Sequence, residues 1–194
     1  DAFVAAFGAQ RAVLATGATP QARLDAPSDG SVPVLSIDEA ARGEHEGMKI
    51  GMRDTRALLV DLRGNIEIGL VAEALVRRGC QVTIATPFLN YGPGIGFTHM
   101  ADLMPVLMRQ GCAFLTVSRV TGIRDGEVSL RNAFTGAVTV ERHDFVVAGM
   151  HPRPDAALYE TLARHGRVVM AGDVVAPRGA LEAYREGDRA ARII

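Results

Sequence analysis

The stretch Ala57 to Pro87, ALLVDLRGNIEIGLVAEALVRRGCQVTIATP, decides the fold. Ala57 to Val60 is a continuous apolar run, Asp61 to Asn65 a polar turn, and Ile66, Gly69, Leu70, Ala72, Leu75 and Val76 recur at helical spacing. Gly79 then stops the pattern and Val82 to Ala85 resumes an apolar run, so the stretch reads as strand, turn, helix, glycine stop and strand. A strand buried on both faces gives an unbroken apolar run, and a helical crossover links it to a parallel neighbour. The stretch therefore predicts a parallel sheet in an α/β fold.

The surroundings extend this reading in both directions. Upstream, Ala12 to Ala15 has a buried-strand signature ending in Thr16-Gly17 and stopped by Pro20, while residues 21 to 34 read as a surface loop. Asp1 to Gln10 reads as a helix end or a strand remnant. Ser36 three residues ahead of Glu39 forms a capping-box pattern for a short helix through about Arg42. Downstream, a Gly-rich loop at Asn90 to Gly96 precedes a helix from about Thr98 to Arg109, whose Met100, Met104 and Met108 read as core packing. Three runs, Ala113 to Val120, Glu127 to Asn132 and Ala137 to Glu141, are separated by Asp-Gly and Thr-Gly turns and signal a β-meander. A buried strand at Phe145 to Ala148, a helix at Leu158 to His165, a last strand at Arg167 to Ala171 and a helix from Ala180 to Ile193 complete the chain.

Composition limits the function classes. With 194 residues, 48% hydrophobic, 22% charged and a formal charge of −1, the chain reads as a globular protein with enough apolar material for a core. The near-neutral balance argues against nucleic acid or an anionic membrane as main partner. Cys80 and Cys112 lie far apart without CxxC spacing and read as buried reduced thiols, which places the chain in the cytoplasm. No apolar run approaches the roughly 20 residues that cross a bilayer. The first residue is Asp1, so a piece of a longer polypeptide is expected. His99, His143, His151 and His165 fall on different elements as surface or packing residues, and no catalytic or metal constellation is visible. Tyr91 reads as half-buried, and Arg178 as one side of a structural ion pair.

Three segments taken together carry a family resemblance: Ala15-Thr16-Gly17-Ala18-Thr19-Pro20 after one strand, the central βαβ with its meander, and Val169-Met170-Ala171-Gly172-Asp173 before a closing helix. This order resembles the glutathione reductase class of flavoproteins, in which a nicotinamide-binding-type domain is inserted into a flavin-adenine-binding-type domain. Ala176-Pro177-Arg178 and the tail EAYREGDRAARII narrow it. They are similar to the C-terminal part of the multidomain flavoenzymes that include trimethylamine, dimethylamine and histamine dehydrogenases, N-methylproline-type demethylases and 2,4-dienoyl-CoA reductase.

The resemblance implies a Rossmann-like inserted domain over residues 47 to 144 with its β-meander, carried on a partial FAD- or ADP-binding-type domain over 1 to 46 and 145 to 194. It places Thr16, Gly17, Gly172 and Asp173 at a cofactor site, Gly172 letting the backbone come close and Asp173 approaching the ribityl or pyrophosphate region of FAD. The parent would be a flavin-dependent oxidoreductase with FMN, and often an iron-sulfur cluster, in an N-terminal barrel of the same polypeptide. This region alone would be inactive. An electron-transfer partner and homo-oligomerisation, the latter through an unpaired strand edge, are further expectations.

Three departures qualify the carry-over. No GxGxxG turn stands upstream of Arg11, so the larger domain lacks its phosphate cradle and an isolated piece would hold FAD or ADP weakly at best. The inserted domain has Asp61-Leu62-Arg63-Gly64-Asn65-Ile66-Glu67-Ile68-Gly69 where a nicotinamide-binding enzyme has GxGxxG. Asp61 and Glu67 bring negative charge to the place of a pyrophosphate, and Ala85-Thr86-Pro87 offers no acidic partner for a ribose diol. A working NAD(P) site is therefore not expected, which favours the amine dehydrogenase or demethylase branch. Finally, Ala148-Gly149-Met150-His151-Pro152-Arg153-Pro154 replaces the second Ala-Thr-Gly of the family. Two other readings stand beside this one: an NAD(P)H-dependent flavin reductase of dienoyl-CoA or enoate type, and a non-catalytic interaction module.

Overall fold

The computed structural model describes residues 11–43, 52–164 and 166–193. The expected boundary near Gly47, the reading of Asp1 to Gln10 and the placement of His165 lie outside the described residues. In chain order the elements begin with β1 (Arg11–Leu14), β2 (Ala18–Thr19), β3 (Val34–Ser36), α1 (Ile37–Arg42), β4 (Arg56–Asp61) and α2 (Ile66–Arg77). Next come β5 (Gln81–Ala85), α3 (Phe97–Arg109), β6 (Ala113–Leu115), β7 (Ser118–Arg124), β8 (Glu127–Asn132), β9 (Val138–Arg142) and β10 (Phe145–Gly149). The chain continues through β11 (Arg153–Pro154), α4 (Tyr159–Ala163), β12 (Arg167–Met170), a 3-10 helix (Gly172–Val174) and α5 (Ala180–Ile193).

Two compact units result: residues 20–151, and the described parts of 1–19 with 152–194. In the first, a parallel five-stranded sheet has the order β3-β10-β4-β5-β6. The βαβ predicted from Ala57 to Pro87 forms its centre as β4, α2 and β5, and the α/β class with a parallel sheet is what the structure has. Leu58, Leu59, Val146 and Val147 are fully buried, because helices cover one face and the meander the other. α1 is closed by the predicted capping box, Ser36 accepting from the Glu39 amide while Glu39 accepts from the Ser36 amide, with Gly43 ending it in the left-handed conformation.

The structure moves several expectations. β10 is paired on both sides, to β3 and to β4, so residues 20–46 and 145–151 lie with the middle of the chain. The boundaries read at 47 and 145 therefore cut through one sheet. The run Ala113 to Val120 splits at Val117, whose φ of 53° turns the chain out of the parallel sheet and into the meander. Of the methionine stripe, Met100 and Met104 pack against the core while Met108 is exposed.

The loop at 21–34 does more than cover the surface. Val32 is buried among Leu58, Val146 and Leu130. Asp29 accepts from the amide of Asp125 at 2.8 Å, Ser31 Oγ from that of Gly126 at 2.9 Å, and the Ile123 amide donates to the Pro27 carbonyl at 2.9 Å. The Ser31 hydroxyl first, then the amides of Asp125 and Ser31, hold the Asp29 carboxyl down to about 2. The β7–β8 turn is thereby fixed to the body of its unit.

In the second unit, β1 and β12 form a parallel pair in the register Arg11↔Arg167 to Leu14↔Met170, and β2 pairs with β11 antiparallel. The 3-10 helix lies against α5, with Val174 and Ala190 buried.

Candidate functional site

Parallel pairing of β1 with β12 sends both strands out at the same end, and the Ala171 amide continues the ladder by donating to the Leu14 carbonyl at 3.0 Å. Thr16-Gly17 and Gly172-Asp173 therefore leave the sheet side by side, past the carboxyl ends of adjacent parallel strands, where α/β folds place ligands. The four residues singled out in the sequence are brought to one place.

Their polar groups are not all open. The Thr16 hydroxyl donates to the Asp155 carbonyl, and the Asp155 amide donates to the Gly17 carbonyl at 3.0 Å. The Gly172 amide donates to Glu186 Oε2 at 2.8 Å, while the other oxygen of Glu186 pairs with the Arg178 guanidinium. Arg178 is thus the structural ion pair that was expected. Asp173 sits half-buried on the 3-10 helix, and its carboxylate has no hydrogen-bond or ionic partner among the described residues. It is an unclaimed acceptor, suited to the hydroxyl pair of a sugar or polyol; neither the Thr16 hydroxyl nor the Gly172 amide is unclaimed. Sequence reasoning missed Asp155 and Glu186, whose contacts span 139 and 14 residues.

The corresponding turn of the other unit, after β4, is arranged differently. Asp61 is fully buried, and its Oδ1 accepts from the amides of Gly64 at 2.8 Å and Arg63 at 3.1 Å. Arg63 pairs with Glu67, and Asn65 caps α2 by accepting from the Glu67 amide at 3.2 Å. Residues 88–94 close over this turn. The Gly94 amide donates to the Gly64 carbonyl at 2.8 Å, and a β-carbon on Gly64 would stand 2.8 Å from Pro93 Cγ and 3.0 Å from the Phe88 ring. Gly64 also has φ 66°, so only glycine meets both demands. One helical turn on, a β-carbon on Gly69 would lie 2.4 Å from both Tyr91 Oη and Leu103 Cδ2. Tyr91 is buried, its ring centroid 5.3 Å from that of Phe114, rather than half-buried in the loop.

Burial raises the Asp61 carboxyl, with the two amides opposing, and burial followed by the Asp61 charge raises the Tyr91 hydroxyl. Asp61 Oδ2 and Tyr91 Oη are buried without a hydrogen-bond partner. At the end of β5, Thr86 is buried and ladder-bonded, receiving the Ser118 amide at 2.8 Å and donating its own to Leu115. Two amides that a phosphate would use are given to an internal carboxylate, and the glycine is roofed by proline and phenylalanine. The residues at this turn do not fit a dinucleotide.

At the opposite, amino edge of the sheet a cavity of about 380 Å³ is lined by Arg56, Cys80, Thr83, Gln110 and His143. The His143 ring is buried, its Nε2 lying 3.4 Å from Glu141 without a hydrogen bond to either nitrogen. Burial lowers its pKa, against the pull of Glu141. Burial pushes the thiols of Cys80 to about 11 and Cys112 to about 12, and neither is in a disulfide. Among the described residues no group of three His, Cys, Asp or Glu side chains could hold a metal. No described helix is long and apolar enough to cross a membrane.

Comparison with known proteins places the fold. No family model and no curated protein matches the chain. Among solved structures, histamine dehydrogenase from Rhizobium sp. 4-9 is similar over 97% of this chain and 31% of that one, with a TM-score of 0.82 and 21% identity. The 6-hydroxypseudooxynicotine amine oxidase of Pseudomonas geniculata N1 matches over 96% and 29%, with a TM-score of 0.80 and 21% identity. A 2-naphthoyl-CoA reductase matches over 98% and 28%, with a TM-score of 0.77 and 20% identity. The chain thus shares its fold with part of a dehydrogenase, an oxidase and a reductase, and spans less than a third of the length of each.

Proposed function

We propose that this chain is the nucleotide-binding-type region of a larger flavin-dependent oxidoreductase that oxidises a C–N bond of a methylated or related amine. Chemistry would reside on FMN in an N-terminal barrel of the same polypeptide, with an iron-sulfur cluster there. This region would support that barrel and hold an adenine nucleotide, as ADP or FAD, at the strand ends of its smaller unit. The larger unit would be a closed relative of an NAD(P)-binding domain, carried on a partial FAD-type domain.

The observation that carries the reading is the juxtaposition of Thr16-Gly17 and Gly172-Asp173 at the carboxyl ends of β1 and β12, with the Asp173 carboxylate unclaimed. A carboxylate at such a place accepts from vicinal hydroxyls, and ribose and ribitol offer them. The fold shared with histamine dehydrogenase and an amine oxidase supports the amine branch. Against a nicotinamide-using reductase stand the Asp61 carboxylate on the turn amides and the Pro93 roof over Gly64.

The test is calorimetric titration of the full-length polypeptide with ADP, FAD, NADH and NADPH, with its bound-flavin spectrum recorded. ADP or FAD binding that Asp173→Asn weakens supports the reading. NADH or NADPH binding at micromolar affinity with no response to ADP moves the protein to the reductase class.

A further inference from the structure

The meander has two faces of opposite character. Alternation, shifted by a bulge between Val120 and Gly122, turns Val120, Ile123, Val128 and Leu130 inward, where they pack with Leu58, Val60 and Val146 of the parallel sheet. The outer face reads across the strands in rows set by the register. Arg119 stands opposite Arg131 and Arg131 opposite Val138; Gly122 stands opposite Ser129 and Ser129 opposite Val140; Arg124 stands opposite Glu127 and Glu127 opposite Arg142. Four arginines and one glutamate share this face in a chain whose formal charge is −1.

Only one arginine of the four is neutralised among the described residues. Arg142 pairs with Glu127 at 3.3 Å, whereas Arg119, Arg124 and Arg131 have no ionic or hydrogen-bond partner there. Arg119 and Arg131 are directly opposed, a position where β-carbons lie about 5 Å apart and like charges repel. Beside them Val138 and Val140 are each about half exposed, at 50% and 54%. Repelling guanidinium groups next to bare valines cost a sheet stability and gain nothing within the chain.

We propose that this face is a docking surface for an acidic protein segment, whose carboxylates are taken by Arg119 and Arg131 and whose apolar residue seats on Val138 and Val140. Charge complementarity gives the sign, and the guanidinium fork matches a carboxylate bidentately. The valines choose protein over nucleic acid or lipid headgroup: arginine beside exposed apolar side chains is the composition of a protein interface, and a phosphate backbone has no use for the apolar row. Three strands about 4.8 Å apart and about five residues long present roughly 200–300 Å². That is far below the roughly 800 Å² per partner of a stable complex and suits a transient encounter, steered by charge. The inference rests on the meander alone and stands whether or not the flavin reading does.

The experiment uses the full-length polypeptide and a fluorescein-labelled decapeptide of six glutamates, two leucines and two glycines, followed by anisotropy in 50 mM NaCl. A 20-nucleotide single-stranded DNA and phosphatidylglycerol vesicles are titrated in parallel. The expected result is saturable peptide binding that 300 mM NaCl weakens, that Arg131→Glu weakens at least tenfold and that Val140→Ser weakens about threefold. Arg131→Glu turns repulsion with Arg119 into attraction, so its melting temperature is expected to equal or exceed that of the parent chain. Arg119→Glu makes the same change from the neighbouring strand and serves if the first variant does not fold. The proposal is overturned by absence of saturable peptide binding, by affinity in both charge-reversed variants equal to that of the unmutated protein, by DNA or vesicles binding more tightly than the peptide, or by lost binding accompanied by a lowered melting temperature in both variants.

Discussion

Two turns in this chain stand at the same kind of place, just past the carboxyl end of a parallel strand, and their polar groups are left to do different things. After β4, Asp61 turns back onto the amides of Arg63 and Gly64 and the loop at 88–94 covers what remains. After β12, Asp173 faces no partner among the described residues while Glu186 and Arg178 hold the turn from behind. A carboxylate in the first position takes the turn amides that an anionic ligand would use; in the second it has no partner among the described residues. The difference is not in the fold, which offers both places, but in whether the chain answers its own donors.

The largest effect that would sharpen this comparison is expected for Gly64→Ala. It adds a β-carbon where Pro93 and Phe88 already sit and forces a left-handed φ, together costing about 3 kcal/mol of stability by urea denaturation. ADP affinity of the full-length protein should stay unchanged, because the effect is confined to the closed turn. Next, Asp61→Ala leaves two turn amides without an acceptor and is expected to cost about 2 kcal/mol. It should still confer no NADH binding, since the roof over Gly64 remains; NADH binding by this variant would break the comparison.

Asp173→Asn is expected to weaken ADP or FAD binding about tenfold, the loss of one charge-assisted hydrogen bond of about 1.4 kcal/mol. Its melting temperature should not move, because the carboxylate has no partner among the described residues. The smallest effect lies away from both turns, at His143. Burial lowers its pKa, so the unfolded chain binds more protons than the folded one once the pH falls below the usual imidazole value near 6.5. Stability therefore drops between pH 7 and pH 5, and His143→Gln should flatten that part of the melting profile.

Much of this architecture was legible in the order of residues. The apolar runs of β4 and β5, the glycine stop after α2 and the Ser36–Glu39 capping box are local signals, and each stands where it was read. The sequence also marked Asp61 and Glu67 as hostile to a pyrophosphate, but not that Asp61 would claim the amides itself. That needs the turn closed in space. The roof of Phe88 and Pro93, the Thr16–Asp155 contact and the Glu186 clamp join segments that nothing local connects. Likewise, Phe145 to Ala148 reads as a buried strand from its apolar run alone, yet its pairing to both β3 and β4 is a property of the sheet that no local signal carries. Val117 carries no turn signal at all; a β-branched residue at positive φ is held there by the hydrogen bond its amide donates to the Phe88 carbonyl at 2.9 Å.

The central claim, an open strand-end site in one unit and a self-answered one in the other, is tested most directly by calorimetry of the full-length protein and its Asp173→Asn variant against ADP and NADPH. The account predicts ADP binding that the substitution weakens about tenfold and no NADPH heat in either protein. NADPH binding of equal strength in both, with no response to ADP, would contradict it.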